Sequence, residues 1–203
     1  MKINDSIIII DDVLSKEDFQ DLQNYCSEEN RFQSVAKGDY IYYVAYVPDS
    51  LNSKLTAVLQ EIHRKKVNIS ISFIRLATSK LDTDLRIHSD NGNVGGNFKP
   101  THGAIFYITH KPDTINGTAL WKHYKYGYTC PEEFNDEDIQ NNIMCDKEDA
   151  TKWSLSTIIG GVENRLVTYP AKYFHSKYPR VMWGNNQKNG RIVLPIFYTL
   201  TDE

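Results

Sequence analysis

The spacing of apolar residues changes along the chain near residue 67. Before that point, segments 16–30 and 50–66 place apolar side chains every three or four residues, which predicts two amphipathic helices. Ser15 precedes the first of these segments and is typical of a helix N-cap. From residue 67 the sequence "VNISISF" alternates apolar and polar residues, which predicts a strand with one buried face.

Short apolar segments separated by turn residues follow, and each predicts a β-strand. Their sequences are "LRIHSD", "GAIFYIT", "GTALWKHY", "LSTIIGG", "NRLVTYP" and "RIVLPIFYTL". The segment before them, 67–77, is predicted to form one strand. Two earlier β segments, "SIIIIDDVL" and "DYIYYVAYVPD", precede the first and the second helix. Helices followed by many short strands predict a mainly β protein with α (α+β), in which helices pack against an antiparallel sandwich or barrel.

Segment 122–152 departs from this alternation. Its central part is acidic, so we interpret it as an insertion between strands and expect 132–149 to form a mobile lid over a substrate. The length of 203 residues suits a single domain, 1–203. Within it we expect 1–66 to support a β core formed by 67–203.

Composition narrows the classes of function. A net charge of −3 argues against a broad nucleic-acid-binding surface. The run of four isoleucines near the N-terminus is too short for a membrane span or a signal peptide. Three widely spaced cysteines without a C-x-x-C motif favour free thiols in a reducing compartment, so we expect a cytoplasmic protein.

The stretch "RIHSDNGNVGG" carries the first candidate for chemistry. His88 and Asp90 are two residues apart, so their side chains point the same way if this segment is extended. An imidazole and a carboxylate that converge in this way could provide two of the ligands of a metal ion. The ordinary alternative is a histidine and an aspartate in a polar turn, with the aspartate capping its own backbone.

Two more candidates lie far along the chain. His175 follows the predicted strand "RLVTY" after a short corner, where its side chain could face a cavity. Arg191 begins the strongly apolar strand "RIVLPIFYTL" and needs an anionic partner if it is buried. Its planar guanidinium matches a carboxylate. A loop histidine and a surface salt bridge are the ordinary alternatives, and Arg180 or Lys188 could take the place of Arg191.

Two histidines and one carboxylate make a facial triad, which holds Fe(II) and leaves three coordination positions open. An arginine nearby would bind the far carboxylate of a keto-acid that chelates the metal. The same ligands with an open position also fit catalytic zinc. However, the chain has no H-E-x-x-H motif or cysteine pair that would indicate a zinc hydrolase.

The order H-x-D, then His, then Arg on a short strand resembles the 2-oxoglutarate- and Fe(II)-dependent dioxygenase superfamily. "IIIIDDVLSKEDFQDLQNYC", "GAIFYIT" with "NGTALW", and "ENRLVTYPAKYFHS" are similar to segments of its prolyl 4-hydroxylase-like branch. The resemblance implies a double-stranded β-helix (a jelly-roll, cupin-like fold) with N-terminal helices packed on one sheet. It implies Fe(II) on His88, Asp90 and His175. It also implies 2-oxoglutarate on Arg191 and Tyr107, with O2 as a further co-substrate.

The implied activity is hydroxylation of an unactivated C–H bond with release of succinate and CO2. The substrate would be a peptidyl residue or a small molecule, whereas a methylated nucleobase fits the acidic composition poorly. Arg75, Arg86 and Trp121 are candidates for contact with the substrate, although an exposed strand arginine and a core tryptophan are commoner roles. The alternative function is a non-catalytic, cupin-like metal-binding β-barrel.

Overall fold

The computed structural model describes residues 6–37, 40–82, 84–91, 98–109, 115–129, 143 and 145–202. Most of the segment predicted to be a lid, 132–142 and 144, lies outside these residues. Among the helices of the described part, none has the length and apolar character needed to cross a membrane.

Both predicted helices form. Helix α1 is Lys16–Ser27, and the Ser15 hydroxyl accepts the N–H of Asp18 at 3.1 Å, as the capping pattern predicts. It ends before the predicted residue 30 because Glu28 takes an extended conformation, with ψ of 142°. Helix α2 is Asp49–His63 and ends where Arg64 adopts the left-handed region, at φ of 52°.

Eight strands of the described chain form one antiparallel sheet, the major sheet, in the order β1-β9-β6-β11-β5-β3-β2, with β4 also paired to β11. Three more form the minor sheet, in the order β10-β7-β8. The strands are β1 Ile8–Ile10, β2 Gln33–Lys37, β3 Tyr40–Ala45, β4 Lys66–Ser72, β5 Ile74–Ala77, β6 His102–Tyr107, β7 Gly117–His123, β8 Trp153–Gly160, β9 Arg165–Pro170, β10 His175–Tyr178 and β11 Arg191–Thr201.

The long strand β11 organises the major sheet. It pairs with β6 along one edge and with both β4 and β5 along the other. The segment predicted as one strand over 67–77 is therefore two strands, interrupted at Phe73. The interruption lies opposite Pro195, whose carbonyl accepts the Phe73 N–H at 3.4 Å. Because proline has no N–H, the ladder cannot be completed at this point.

Apolar side chains fill the space on both faces of the major sheet. On one face, Leu22 of α1 and Leu55 and Leu59 of α2 belong to the same buried cluster as Phe106 and Leu194. A second buried cluster joins the opposite face to the minor sheet. Its members are Ile7, Tyr107, Leu120, Ile159, Val167, Tyr169 and Val193. The prediction of a mainly β fold with helices packed on one sheet is confirmed, and the two sheets form a jelly roll that is not closed into a barrel.

Long-range pairing corrects one local prediction and defines two strands that the sequence does not predict. "LRIHSD" is not a regular strand; its only bridge among the described residues joins His88 to His175. His175 follows the predicted strand "RLVTY", as expected, and begins strand β10, which its sequence does not predict. Strand β2 is not predicted from its pattern, since all five of its residues are exposed and only pairing with β3 identifies it.

Candidate metal centre

The bridge between segment 84–91 and strand β10 brings the predicted triad together. The backbone N–H of each histidine donates to the carbonyl of the other, at 3.0 and 2.8 Å. Asp90 Oδ2 lies 3.2 Å from His175 Nε2, and Asp90 Oδ1 lies 3.7 Å from His88 Nε2. One ligand atom from each residue falls within 4.8 Å of the others, so the three can hold one metal ion.

Both imidazole rings are oriented by the backbone. Nδ1 of His88 lies 3.1 Å from the carbonyl oxygen of Arg86, and Nδ1 of His175 lies 2.9 Å from the carbonyl oxygen of Tyr173. A carbonyl can only accept, so each Nδ1 carries a proton, and Nε2 is the nitrogen that the neutral ring offers to a metal. Burial would lower the pKa of His175, but the Asp90 carboxylate raises it, so a metal ion would bind in place of a proton on this ring. Nε2 is the atom that faces Asp90, which is the arrangement found in metal-ligating histidines.

The charges of the triad also suit a cation. Desolvation at the site, followed by the neighbouring His175, lowers the pKa of His88, so this ring is neutral at pH 7. Burial would raise the pKa of Asp90, but His175 and His88 lower it below its usual value and keep the carboxylate ionised. About 41% of the His88 side chain is exposed, compared with 7% for His175, so the triad is open to solvent on the His88 side.

Glycine at position 103 makes room for the triad. A Cβ there would lie 3.2 Å from Asp90 Oδ2 and 3.3 Å from the Tyr169 ring. Strand β6 therefore passes directly beneath the carboxylate, and a larger side chain at this position would displace it.

Arg191 lies between the two sheets, away from solvent. Only 4% of the residue is exposed, and its Nη2 donates to the carbonyl of Gly117 at 3.3 Å. Its Nε has no hydrogen-bond partner in the described part of the chain. The Tyr107 ring centre is 5.9 Å from the guanidinium carbon, and the Tyr107 hydroxyl bonds the Thr118 hydroxyl at 2.6 Å. Within the described part of the chain, Arg191 thus has an N–H donor, Nε, that is available to bind a carboxylate.

Tyr169 belongs to the same space, although the sequence analysis did not select it. Its hydroxyl is buried without a partner among the described residues, and its ring lies 4.9 Å from that of His175. Burial raises the pKa of Tyr169 and of Tyr107, so both remain neutral hydroxyl donors at pH 7. The available signal was a tyrosine two residues after Val167, and therefore on the same face of strand β9 as this apolar residue.

The two arginines proposed for substrate contact both hold carboxylates. Arg75 binds Asp82 through Nε and, at 2.7 Å, through Nη2. Arg86 binds Asp84 through Nε and Nη2, each at 2.7 Å. The Arg86 guanidinium also stacks 3.9 Å from the centre of the Tyr40 ring. These contacts place both side chains beside the triad, and contact with substrate stays a prediction.

The third proposed contact, Trp121, lies on the opposite face of the minor sheet from His175. Its indole N–H donates to the Ser176 hydroxyl at 2.9 Å, and its ring belongs to a buried cluster with Phe174 and Trp153. This environment matches the core role that the sequence also allowed.

Lys177 is a buried cation that sequence reasoning also missed. It is two residues beyond His175 on β10, and its Nζ donates to the Asp82 carbonyl at 2.9 Å and to Asp82 Oδ1 at 3.2 Å. Burial, followed by the charge of Arg75, lowers the pKa of Lys177 to about 7. Side chains alternate along β10, so Lys177 lies on the same face as His175. This spacing of two residues is the only indication in the sequence that Lys177 lies near the triad.

The other cations considered in place of Arg191 lie elsewhere. Arg180 donates to the carbonyls of Leu85 and Glu148, each at 3.2 Å, and Lys188 is exposed in the loop before β11. Of these three candidates, Arg191 alone is buried between the sheets. The residues present therefore fit a metal ion with a chelating diacid: they provide three metal ligands, and Arg191 Nε and the Tyr169 hydroxyl are donors without a partner in the described part of the chain.

No family model matches the sequence, and no curated protein is significantly similar to it. Solved structures do resemble the fold. The non-heme alpha-ketoglutarate-dependent carbocyclase SnoK of nogalamycin biosynthesis matches with a TM-score of 0.63 at 14% identity, covering 95% of this chain and 79% of SnoK. HygX from Streptomyces hygroscopicus, with nickel and 2-oxoglutarate bound, matches with a TM-score of 0.56 at 10% identity, covering 97% of this chain and 83% of HygX.

A viral collagen prolyl hydroxylase from Paramecium Bursaria Chlorella virus-1, in its 2-oxoglutarate complex, matches with a TM-score of 0.55 at 8% identity. The likeness covers 98% of each chain. The chain therefore has the jelly-roll fold of the non-heme 2-oxoglutarate-dependent enzymes. This likeness confirms the fold that the sequence resemblance implies. Any statement about the reaction has to come from the residues of the site.

Proposed function

We propose that this protein is an Fe(II)- and 2-oxoglutarate-dependent oxygenase. It would convert a substrate C–H bond, O2 and 2-oxoglutarate into a C–OH group, succinate and CO2. The observation that carries the proposal is the convergence of His88, Asp90 and His175 with their metal-binding atoms within 4.8 Å, beside a buried arginine that lacks an acidic partner among the described residues.

In this proposal His88 and His175 bind the metal through Nε2, and Asp90 binds it through one carboxylate oxygen. Arg191 receives the distal carboxylate of the co-substrate, with Tyr107 beside it. The apolar side chains between the two sheets exclude water from this end of the pocket. When bound, Fe(II) and 2-oxoglutarate supply the activation of O2 and the oxidation of the substrate.

The substrate proposed is a peptidyl residue, as for a prolyl 4-hydroxylase, or a small molecule. The resemblance of the sequence to the prolyl 4-hydroxylase-like branch and the likeness to the viral collagen prolyl hydroxylase favour the first. The likeness to HygX, which was also solved with hygromycin B bound, favours the second. We further propose a cytoplasmic protein of one domain.

The test is anaerobic titration of the metal-free protein with Fe(II) and 2-oxoglutarate, following the weak visible charge-transfer band of the chelate. We expect the band in the wild-type protein, its loss in His175→Ala and its weakening in Arg191→Ala. Lys188→Ala, which removes an exposed cation from the loop before β11, is the matched control and should behave as wild type.

Iron binding without the band in wild type would refute the co-substrate pocket and favour a metal-binding module. Turnover separates these functions further. Succinate formation that rises when a candidate substrate is added supports the oxygenase, whereas tight iron binding with no succinate under any condition supports the non-catalytic alternative.

A further inference from the structure

A buried excess of positive charge lies next to the proposed co-substrate pocket. The Asp82 carboxylate is fully buried and is shared by two cations, Arg75 and Lys177. Arg191 adds a third buried cation, whose recorded partner is the carbonyl of Gly117. The nearby Asp84 is held by both the Nε and the Nη2 of Arg86. Arg75 Nη2 also lies 3.8 Å from Asp84 Oδ2, so four basic side chains share two carboxylates, and this excess is costly to bury unless an anion completes the cluster.

The strand register places Lys177 of the minor sheet close to the residues that Arg191 of the major sheet contacts. Lys177 pairs with Thr118 across β10 and β7, and Thr118 bonds the hydroxyl of Tyr107 at 2.6 Å. The preceding residue of β7 is Gly117, whose carbonyl accepts a hydrogen bond from Arg191 Nη2. Lys177 and Arg191 therefore flank the Tyr107–Thr118 pair. This pair lies two residues away, along β10 and β7, from the position where His175 pairs with Leu120.

The ammonium group of Lys177 also has unused capacity. Among the described residues, its two hydrogen bonds both go to Asp82, to the carbonyl at 2.9 Å and to Oδ1 at 3.2 Å. An ammonium has three donors and no acceptor, so a further acceptor can be bound without breaking this contact. Arg191 Nε and the Tyr169 hydroxyl are likewise unsatisfied in the described structure. All three groups are donors, which matches a ligand that only accepts.

We propose that Lys177 is a second cation for the distal carboxylate of the co-substrate, acting with Arg191, and that Asp82 positions its ammonium group. This inference rests on the proposed function and adds a residue beyond the single arginine that the family resemblance implies. Lys177 would then determine the preference for a 2-oxo acid with a charged tail. The opposing reading is that Lys177 only closes an internal ion pair with Asp82.

The two readings differ in which ligand is affected. The probes are 2-oxoglutarate and 2-oxopentanoate, which has the same five-carbon chain but a methyl group in place of the distal carboxylate. Dissociation constants are measured by calorimetry on the Mn(II)-loaded protein. We expect Lys177→Met to weaken 2-oxoglutarate about 10- to 100-fold, the loss of one charge-assisted bond, while leaving 2-oxopentanoate unchanged. Lys177→Arg should restore most of the affinity, and Lys188→Met is the surface control.

A wild-type measurement covers the case in which Lys177→Met does not fold. Lysine acetylation mapped by mass spectrometry should show Lys177 protected by 2-oxoglutarate with Mn(II), and much less by 2-oxopentanoate with Mn(II). Equal protection by the two acids, or equal weakening of both acids in Lys177→Met, overturns the role of Lys177. If wild type binds neither acid, or does not prefer 2-oxoglutarate, the proposed function itself fails.

Discussion

Replacing Arg191 by methionine should separate stability from ligand binding. Methionine has a similar length and no charge, so it can fill the space beside Tyr107 without a polar atom. Arg191 is 4% exposed and has no carboxylate partner among the described residues. Burial lowers the pKa of Arg191, and Tyr107 and the Asp82 carboxylate, which is already bound by Arg75 and Lys177, offset this only in part.

The magnitudes follow from its contacts. Among the described residues, Arg191 donates to the carbonyl of Gly117 at 3.3 Å and also interacts with the Tyr107 hydroxyl; the bond to Gly117 is long and contributes at most about 1.5 kcal/mol. Replacing buried charges by apolar residues of similar volume is often neutral or stabilising, by about 1–4 kcal/mol. We therefore expect Arg191→Met to leave the free energy of unfolding unchanged or to raise it by about 2 kcal/mol. Loss of two charge-assisted bonds should weaken 2-oxoglutarate by at least about 100-fold.

The assay combines urea unfolding of the metal-free protein with calorimetric titration of 2-oxoglutarate into the Mn(II)-loaded protein. Arg165→Met is the matched control, because Arg165 is a strand arginine whose guanidinium is paired with Asp11 near the surface. It should lose at most about 1 kcal/mol of stability and keep the affinity for 2-oxoglutarate.

One pattern of results would refute the reasoning about Arg191. If Arg191→Met lowered the free energy of unfolding by about 3 kcal/mol or more, the arginine would be satisfied within the protein, as in a buried ion pair that loses a partner. If the variant also kept wild-type affinity for 2-oxoglutarate, Arg191 would have a structural role and the keto-acid pocket would have to lie elsewhere.

Three further predictions concern single side chains. Tyr169→Phe removes a buried hydroxyl that has no partner among the described residues, so the free energy of unfolding should be unchanged or rise by up to about 1 kcal/mol. The variant should bind 2-oxoglutarate about tenfold more weakly by calorimetry, and tighter binding would contradict this. Burial, followed by the charge of His63, lowers the pKa of His102 to about 4, so the unfolded chain binds more protons between pH 6.5 and 4 and stability falls as pH falls through that window. His102→Asn should flatten this slope in pH-dependent urea unfolding, and an unchanged slope would exclude the histidine as its cause. Burial raises the pKa of Cys26 to about 12, so in a variant that keeps only this cysteine a thiol reagent should react at the rate of unfolding, and rapid labelling of the native state would contradict its burial.

Local sequence determined the elements that need only neighbouring residues. The three-to-four spacing of apolar residues and the Ser15 cap predicted α1, and the same spacing predicted α2. Alternation predicted strands β6, β7, β9 and β11 within a few residues of their bounds. The convergence of His88 and Asp90 was also a local inference, because both lie on one side of a short extended segment.

Tertiary structure decided the partners of each strand and the composition of the pocket. A period of two identifies the buried face of a strand but not the strand across from it, so the bridge from His88 to His175 could be proposed only through a family resemblance. The break at Phe73 depends on Pro195, and strand β2 on its pairing with β3. Both are contacts between segments that local spacing treats separately.

The same limit explains Tyr169 and Lys177. In the sequence they are a tyrosine and a lysine on short strands, for which core packing and solvent exposure are the common roles. Their significance comes from what surrounds them: a hydroxyl buried without a partner, and an ammonium group enclosed beside a shared carboxylate. The free energy of a buried polar group depends on the donors, acceptors and charges within a few ångströms, and those neighbours are assembled only when distant strands pair.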